Sequence, residues 1–325
     1  MSEQDFKSRI DLEPIKENVE KVRNEVGKVI VGQHEMINLL MVALLADGHV
    51  LLEGVPGVAK TMTAKTLART IGLEFSRIQF TPDLMPSDVL GTSVFNMKNA
   101  VFEFRQGPIF ANIILIDEIN RAPAKTQAAL FEVMEEVQVT IDGETYPMST
   151  PFLVMATQNP VEQEGTYRLP EAQLDRFLFK IKVDYPTLEN EIDILKSIHE
   201  SRNILNLEVV EKVLGGDEIN KLRQITAEVF VEEHLFDYIT KIVYETRNHP
   251  SLYLGASPRA SISLLKGAKA LAVINGRDFV TPEDIQQLTG PVMEHRLILT
   301  PEKEMEGITA GEVVKAIVEK IEVPR

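Results

Sequence analysis

The chain has 325 residues, of which 44% are hydrophobic and 26% are charged, and its formal net charge is −15. This length and balance predict a globular protein of two domains. The acidic balance disfavours DNA or RNA as the main ligand, because nucleic-acid binders usually carry basic surface that releases phosphate counterions. The absence of cysteine excludes a disulfide framework and a thiolate metal site.

Membrane insertion and secretion are also disfavoured. No segment has the apolar length that a membrane span requires, and the first fourteen residues are polar and charged, unlike a secretory signal. The six histidines show no metal-binding spacing, so we predict no histidine-based metal site. A cytoplasmic location is therefore expected.

The N-terminal part of the chain leads to a loop with phosphate-binding character. Residues 1–28 predict a charged helix with one apolar side, and Glu35–Ala46 predicts a second, more apolar helix. The apolar run His49–Glu53 is typical of a buried strand, and Met62–Ile71 places apolar residues on one helical face. Between them lies Gly54-Val55-Pro56-Gly57-Val58-Ala59-Lys60-Thr61. Strand, glycine-containing loop, Lys-Thr and helix together are the pattern of a phosphate-binding loop.

This loop predicts nucleotide binding. Its glycines let backbone N–H groups turn toward the phosphates, and the N-terminus of the helix adds partial positive charge. We expect Lys60 to contact the phosphates as a point charge and the Thr61 hydroxyl to bind Mg²⁺. Ala59 replaces a glycine of the strict motif, which is tolerable if its φ is negative. The alternative is an ordinary turn between strand and helix. The predicted nucleotide contacts are Gly54, Val55, Pro56, Gly57, Val58, Ala59, Lys60, Thr61 and Met62.

Further strands predict a doubly wound α/β domain, because apolar runs alternate with helical segments. Two β-hairpins interrupt this pattern, and edge decoration is the alternative to a function for either. The strand candidates are Phe75–Phe80, Ile113–Ile116, Pro151–Ala156 and Leu178–Val183, and the hairpins are Ser93–Phe104 and Val137–Tyr146, the second with an Asp142-Gly143 turn.

Polar side chains follow two of these strands. Asp117 and Glu118 follow the apolar run Ile113–Ile116, and Asn159 follows the next strand. Ligands in such sheets bind beyond the carboxyl ends of the strands, so these residues are expected beside the phosphate loop. We predict that Asp117 holds Mg²⁺, directly or through water, that Glu118 deprotonates the attacking water, and that Asn159 positions it. The alternatives are a solvated strand end and a plain Asn-Pro turn.

Beyond Asp184-Tyr185-Pro186 the strand pattern stops and helix starts replace it. Ser257, Thr281 and Thr300 each precede a proline, and Thr309 opens a capping box. These signals predict an all-helical second domain over residues 186–325, after an α/β domain over residues 1–185.

Four strings in this order resemble the MoxR branch of the AAA+ ATPases, and the resemblance covers nearly the whole chain. Arg168 stands where that pattern leads us to expect a proline. The strings are residues 79–88 (QFTPDLMPSD), 107–112 (GPIFAN), 117–123 (DEINRAP) and 169–177 (LPEAQLDRF).

The resemblance implies a doubly wound AAA+ core with a C-terminal helical lid, and it implies a role for each matching residue. Lys60 and Thr61 would be Walker A residues, Asp117 and Glu118 Walker B residues, and Asn159 sensor 1. It also implies that Arg176 is an arginine finger reaching the γ-phosphate of a neighbouring subunit.

Arg259 would be sensor 2 on the lid, and the resemblance leaves open whether it acts in its own subunit or in a neighbour. Val31 and Gly32, within residues 29–33, would flank the adenine.

The implied activity is ATP hydrolysis with Mg²⁺ in a homo-oligomeric ring, taken as a hexamer. The resemblance also implies that the ring remodels or matures a protein client together with a von Willebrand factor A-domain partner. The hairpins resemble the helix-2 insert (about 93–105) and the pre-sensor-1 insert (about 137–148), which point into a central pore in ring-shaped relatives. The second hairpin has no Lys or Arg, which favours protein over DNA. Two alternatives remain: a nucleotide-gated scaffold with little turnover, and a helicase-like DNA motor.

Overall fold

The computed structural model describes residues 12–55, 57–159, 169–201 and 207–324. The chain forms two compact units. Val22–Asn220 is called the α/β unit here, and Lys221–Arg325 with Met1–Lys21 is called the lid unit. Residues 186–220, which the sequence assigns to the second domain, belong to the α/β unit in this division. The domain border near residue 185 stays a prediction.

The described elements follow the predicted order closely. The strands are β1 (Val50–Gly54), β2 (Phe75–Gln79), β3 (Gly91–Asn96), β4 (Val101–Gln106), β5 (Ile113–Asp117), β6 (Gln138–Ile141), β7 (Glu144–Pro147), β8 (Leu153–Gln158), β9 (Phe179–Val183), β10 (Leu252–Leu254) and β11 (Ile298–Leu299). The helices are α1 (Glu13–Gly27), α2 (His34–Leu45), α3 (Lys60–Thr70), α4 (Pro86–Leu90), α5 (Ala124–Glu136), α6 (Glu171–Leu174), α7 (Leu188–Ser201), α8 (Gly216–Glu228), α9 (Glu233–Asn248), α10 (Pro258–Ile274), α11 (Pro282–Met293), α12 (Pro301–Met305) and α13 (Ala310–Lys320).

A five-stranded parallel sheet with the order β2-β5-β8-β1-β9 forms the centre of the α/β unit. All five residues of β5 are buried, as its unbroken apolar run predicts for a strand covered on both faces. The register pairs Gln79 with Asp117 and Glu53 with Gln158. The phosphate loop after β1 and the acidic pair at the end of β5 therefore lie at the same edge of the sheet. The predicted doubly wound α/β core is confirmed.

Both predicted hairpins are present, β3 with β4 and β6 with β7. Asp142 and Gly143 have positive φ angles of 53° and 83°, which suits the tight turn between β6 and β7. The hairpins contact each other at two points. Ser93 Oγ donates to Asp142 Oδ2 at 2.6 Å, and the Phe104 and Tyr146 rings stack with centroids 4.3 Å apart.

A buried histidine, His49, links the start of β1 to β8 and α5. His49 precedes β1, and its Nδ1 accepts a hydrogen bond from the Val154 N–H at 3.1 Å. Because Nδ1 accepts, the ring proton is on Nε2, which donates to the Met134 carbonyl oxygen at 3.0 Å. The neutral ring thus joins β8 to α5 where β1 begins.

The lid unit begins its helices where the sequence predicts. Ser257, Thr281 and Thr300 are N-cap residues with proline in the first turn, and Thr309 forms a capping box with Glu312. The unit also contains one short antiparallel pair, β10 with β11, which the all-helical prediction did not include. Segments of three and two residues are too short to show a strand period in the sequence.

The N-terminal helix is described over Glu13–Gly27 only. Its apolar side is buried as predicted, with Ile15, Val19, Val22 and Val26 at 7% exposure or less. The rest of the predicted helix, residues 1–11, lies outside the described residues. Within the described ranges, no helix is both long and apolar enough to cross a membrane.

Candidate functional site

The phosphate loop lies between β1 and α3, which begins at Lys60. Gly57 has φ +88°, in the left-handed region that favours glycine. Ala59 also lies there, with φ 59° and ψ 16°. The expectation that alanine is tolerable through a negative φ was therefore wrong: the loop holds a left-handed residue at this position despite the Cβ. Pro56, a predicted nucleotide contact, lies outside the described residues.

Lys60 points back along its own loop. Its Nζ donates to the Gly54 carbonyl oxygen at 2.7 Å. Burial lowers the pKa of Lys60, while the carboxylates of Asp117 and Glu118 act in the opposite direction. The two carboxylates therefore help to keep a partly buried ammonium charged beside the loop.

A pocket of about 480 Å³ opens beside this loop. It brings together the predicted residues from the loop, from the end of β5 and from the end of β8, so the sheet topology delivers all three groups to one place. The lining residues are Gly57, Val58, Ala59, Lys60, Thr61, Met62, Lys65, Arg77, Gln79, Asp117, Glu118, Thr157 and Asn159.

Asp117 is held from two sides. Arg77 on β2 donates from Nε to Asp117 Oδ2 at 2.6 Å, and the Thr157 hydroxyl donates to Oδ1 at 3.2 Å. The Asp117 side chain is 12% exposed, whereas that of Arg77 is 51% exposed. The carboxylate is thus fixed by a buried hydroxyl on one oxygen and by a solvent-facing guanidinium on the other.

Glu118 occupies a left-handed backbone position, with φ 57° and ψ 53°. Its N–H donates to Thr157 Oγ1 at 3.0 Å. Its Oε2 accepts from Gln79 Nε2 at 2.8 Å and pairs with Arg121 Nε at 3.0 Å. The Glu118 carboxylate is therefore engaged both by Gln79 on β2 and by Arg121, three residues further along the chain.

Four lining residues were missing from the prediction: Lys65, Arg77, Gln79 and Thr157. Arg77 and Gln79 are two apart near the carboxyl end of β2, which neighbours β5, so their side chains share one face of the sheet. That alternation was visible in the sequence. Thr157 stands two residues before Asn159, where the same period could have identified it.

The donor set fits a magnesium–nucleotide complex. Thr61 and Asp117 supply hydroxyl and carboxylate oxygens, the hard ligands that Mg²⁺ prefers. Among the described residues there is no group of three or more His, Cys, Asp or Glu that could hold a metal ion alone. Mg²⁺ is commonly bound through one or two protein ligands plus substrate phosphates, so two oxygens beside a phosphate loop suit it.

The predicted adenine segment lies close to a second, smaller pocket. Gln33 Nε2 donates to the Asp184 carbonyl oxygen at 3.3 Å. Asp184 lines a pocket of about 240 Å³ together with Gly54 and Val55 of the phosphate loop. Gly32 has φ +76°, and a Cβ there would lie 2.3 Å from Asn190 Nδ2, so another residue would strain the backbone and displace the Asn190 side chain. Contact of Val31 and Gly32 with adenine stays a prediction.

Arg176 is not among the residues that line the 480 Å³ pocket. Its Nη1 donates to the Phe131 carbonyl oxygen at 2.8 Å and lies 2.6 Å from Glu135 Oε2. Both partners are on α5 of the same chain, and the Arg176 side chain is 29% exposed. The structure therefore places the predicted arginine finger against α5, away from the pocket of its own chain.

Arg259 belongs to the lid unit. It is exposed in the first turn of α10, and its backbone N–H donates to the N-cap hydroxyl of Ser257 at 3.1 Å. Its predicted role as sensor 2 stays a prediction.

A parallel sheet, a phosphate loop that opens into a helix, an acidic pair on a neighbouring strand and a separate helical unit define a phosphate-loop ATPase of the AAA+ class. Comparison with known proteins agrees. Residues 49–179 match the ATPase family associated with various cellular activities (AAA), and residues 244–317 match the AAA lid domain.

Individual relatives narrow the class. YeaC of Bacillus subtilis is 49% identical over 97% of this chain and 96% of its own length. Chaperone MoxR1 of Mycobacterium tuberculosis is 45% identical over 94% of this chain and 82% of its own length. A crystal structure from Cytophaga hutchinsonii, described there as a candidate ATPase, is 45% identical with a TM-score of 0.89, and the match covers 97% of each chain. The chain belongs to the MoxR family of AAA+ ATPases and is an ATP hydrolase.

Proposed function

We propose that this ATPase hydrolyses ATP at interfaces between its subunits and uses the energy for chaperone-like remodelling or maturation of a protein complex. The observation that carries the proposal is the pocket in which Lys60, Thr61, Asp117, Glu118 and Asn159 converge, while Arg176 lies outside it. The name of the relative Chaperone MoxR1 supports a chaperone-like role.

The chain's own groups would bind the nucleotide through its phosphates. The N–H groups around Gly57 and the N-terminus of α3 favour anionic oxygen, and Lys60 adds a full positive charge. Thr61 and Asp117 would hold Mg²⁺, which supplies neutralisation of charge on the transferred phosphoryl group. Val31 and Gly32 would flank the adenine, beside the pocket that Gly54 and Val55 line.

Glu118 would take a proton from the attacking water, and the Asn159 side chain would orient that water. Both side chains line the same pocket. Gln79 and Arg121 both engage Oε2 of Glu118, so the proton would be taken by Oε1, or by Oε2 once one of these contacts is released.

Arg176 would complete the site of a neighbouring subunit. A guanidinium brought from outside stabilises the charge that spreads over the phosphate oxygens in the transition state. This role requires a homo-oligomeric ring, for which we propose a hexamer. Arg259 would contact the nucleotide in its own subunit or in a neighbour.

The two contacting hairpins would meet the client. The second contains Asp142 and Glu144 and no Lys or Arg, which suits a protein client better than a nucleic acid. A protein with a von Willebrand factor A domain is the proposed partner.

ATP hydrolysis across a dilution series of the protein, with Mg²⁺, tests this proposal. Specific activity should rise with protein concentration, because each site needs Arg176 from a neighbour. Glu118→Gln and Arg176→Ala should lose activity and keep nucleotide binding. Constant specific activity down to nanomolar monomer would contradict hydrolysis at an interface.

A nucleotide-gated scaffold with little turnover is the second candidate. The observation that favours it is that arginine side chains engage both acidic residues, Arg77 with Asp117 and Arg121 with Glu118. Under this alternative, Glu118→Gln would leave the slow turnover unchanged.

A further inference from the structure

Arg77 is one of the lining residues that neither the sequence motifs nor the proposed mechanism uses. It lies on β2, which β5 and β8 separate from the strand before the phosphate loop, and its Nε forms an ion pair with Asp117 Oδ2 at 2.6 Å. Asp117 is also the carboxylate proposed to hold Mg²⁺. The same carboxylate would therefore have two competing cationic partners, a guanidinium and a metal ion.

The Arg77–Asp117 ion pair is weak enough for Arg77 to leave Asp117 for another anion. The Arg77 side chain is 51% exposed, so water screens its attraction to Asp117. The buried Thr157 hydroxyl keeps its hold on the other oxygen, so the carboxylate stays in place when Arg77 leaves. Losing Arg77 thus frees one oxygen of Asp117 without disordering the side chain.

The pocket offers Arg77 a second partner. Arg77 lines the same 480 Å³ pocket as the phosphate loop. A triphosphate there would present several anionic oxygens, and a guanidinium pairs with phosphate through two parallel hydrogen bonds. The Arg77 side chain can therefore leave the Asp117 carboxylate and bind the more highly charged triphosphate.

We propose that Arg77 is a positioning residue that exchanges Asp117 for the nucleotide phosphates, so that the Asp117 carboxylate becomes open to Mg²⁺ only when nucleotide is bound. Without nucleotide, the guanidinium neutralises Asp117 and repels a divalent cation from the acidic pair. With nucleotide, the same guanidinium adds to the positive charge around the phosphates. The inference rests on the proposed nucleotide site, and it concerns the order of binding, not the hydrolysis step.

Binding of Mn²⁺, a paramagnetic substitute for Mg²⁺, tests the first half of the exchange. Free Mn²⁺ is followed by electron paramagnetic resonance with the full-length chain in the absence of nucleotide. Arg77→Gln should bind Mn²⁺ at least about tenfold more tightly than wild type, since it removes a charged hydrogen-bond partner of the carboxylate. Adding Asp117→Asn to this variant should abolish the gain.

Lys266→Gln is the matched control for net charge, because it removes one positive charge from an exposed position on α10. It should leave Mn²⁺ binding at the wild-type level. Equal Mn²⁺ affinity in wild type and Arg77→Gln, or the same gain in Lys266→Gln, would overturn the proposal.

Binding of a fluorescent ATP analogue in EDTA tests the second half. Without metal there is no hydrolysis, and Arg77→Gln should bind the analogue about tenfold to hundredfold more weakly than wild type. Unchanged affinity would refute transfer of Arg77 to the phosphates. Arg77→Lys keeps the charge but loses the paired N–H groups of the guanidinium, so its affinity for the analogue should lie between those of wild type and Arg77→Gln. It replaces Arg77→Gln in this test if that variant does not fold. Absent hydrolysis or an absent client would count against the proposed function and would not change either binding result.

Discussion

Replacing Ala59 with glycine should stabilise the α/β unit, although glycine normally weakens folded proteins. Ala59 has φ 59° at the start of α3 and is exposed, so its Cβ strains the backbone and contributes little packing. A left-handed conformation costs a residue with a Cβ about 1–2 kcal/mol, and glycine adopts it without that cost. Glycine in turn gains about 0.4–1 kcal/mol of entropy in the unfolded chain. The free energy of unfolding should therefore rise by roughly 0.5–1 kcal/mol.

The assay is urea unfolding followed by circular dichroism at 222 nm, without nucleotide and in EDTA. The chain has no tryptophan, so intrinsic tryptophan fluorescence cannot serve. Ala128→Gly is the matched control, because Ala128 is exposed in the interior of α5. It should lower the free energy of unfolding by about 1 kcal/mol. If Ala59→Gly destabilises the chain as much as Ala128→Gly does, the left-handed strain is not present and the reasoning fails.

Three further outcomes are expected. Glu118→Gln should reduce kcat by about 10²–10⁴-fold with nucleotide affinity retained, because it removes the proposed base and keeps the side-chain shape; unchanged turnover would favour the scaffold alternative. Arg176→Ala should reduce kcat by roughly 10³-fold, and mixing it with Glu118→Gln should restore part of the activity, since one variant supplies the base and the other the arginine; mixtures as inactive as their components would argue against action between subunits. His49→Ala should lower the free energy of unfolding by about 2–5 kcal/mol, because it opens a cavity and leaves the buried N–H of Val154 without its acceptor. His49→Gln can replace one of the two hydrogen bonds and should lower the free energy of unfolding by less. Equal loss in both His49 variants, measured by urea unfolding, would show that the hydrogen bonds do not matter.

The predictable part of this molecule is the part encoded by local pattern. β5 was predicted because its first four residues, Ile113–Ile116, are all apolar, and the carboxyl ends of parallel strands then placed Asp117, Glu118 and Asn159 beside the phosphate loop. The helix starts in the lid unit were predicted for a similar reason, since a capping hydroxyl and a following proline act within one turn.

The remaining features depend on interactions that no local pattern encodes. The pairing of Arg77 with Asp117 joins residues 40 apart in sequence and requires the register of β2 against β5. The contact of Arg176 with Glu135 depends on where α5 ends relative to the segment after β8. Ala59 misled because a residue's preference for negative φ is weak compared with the demands of a loop that must reverse direction before α3.

Helix α5 has a mechanical consequence for this ATPase. Its C-terminal half carries Phe131 and Glu135, which grip Arg176, and only one residue separates its end from β6 of the second hairpin. The first hairpin is fastened to the second by the Ser93–Asp142 and Phe104–Tyr146 contacts. A movement of either hairpin would therefore be transmitted to α5, and through α5 to Arg176. If Arg176 moves toward a neighbour's phosphates as proposed, its contacts with α5 couple that movement to the hairpins, and the coupling free energy is the same in both directions.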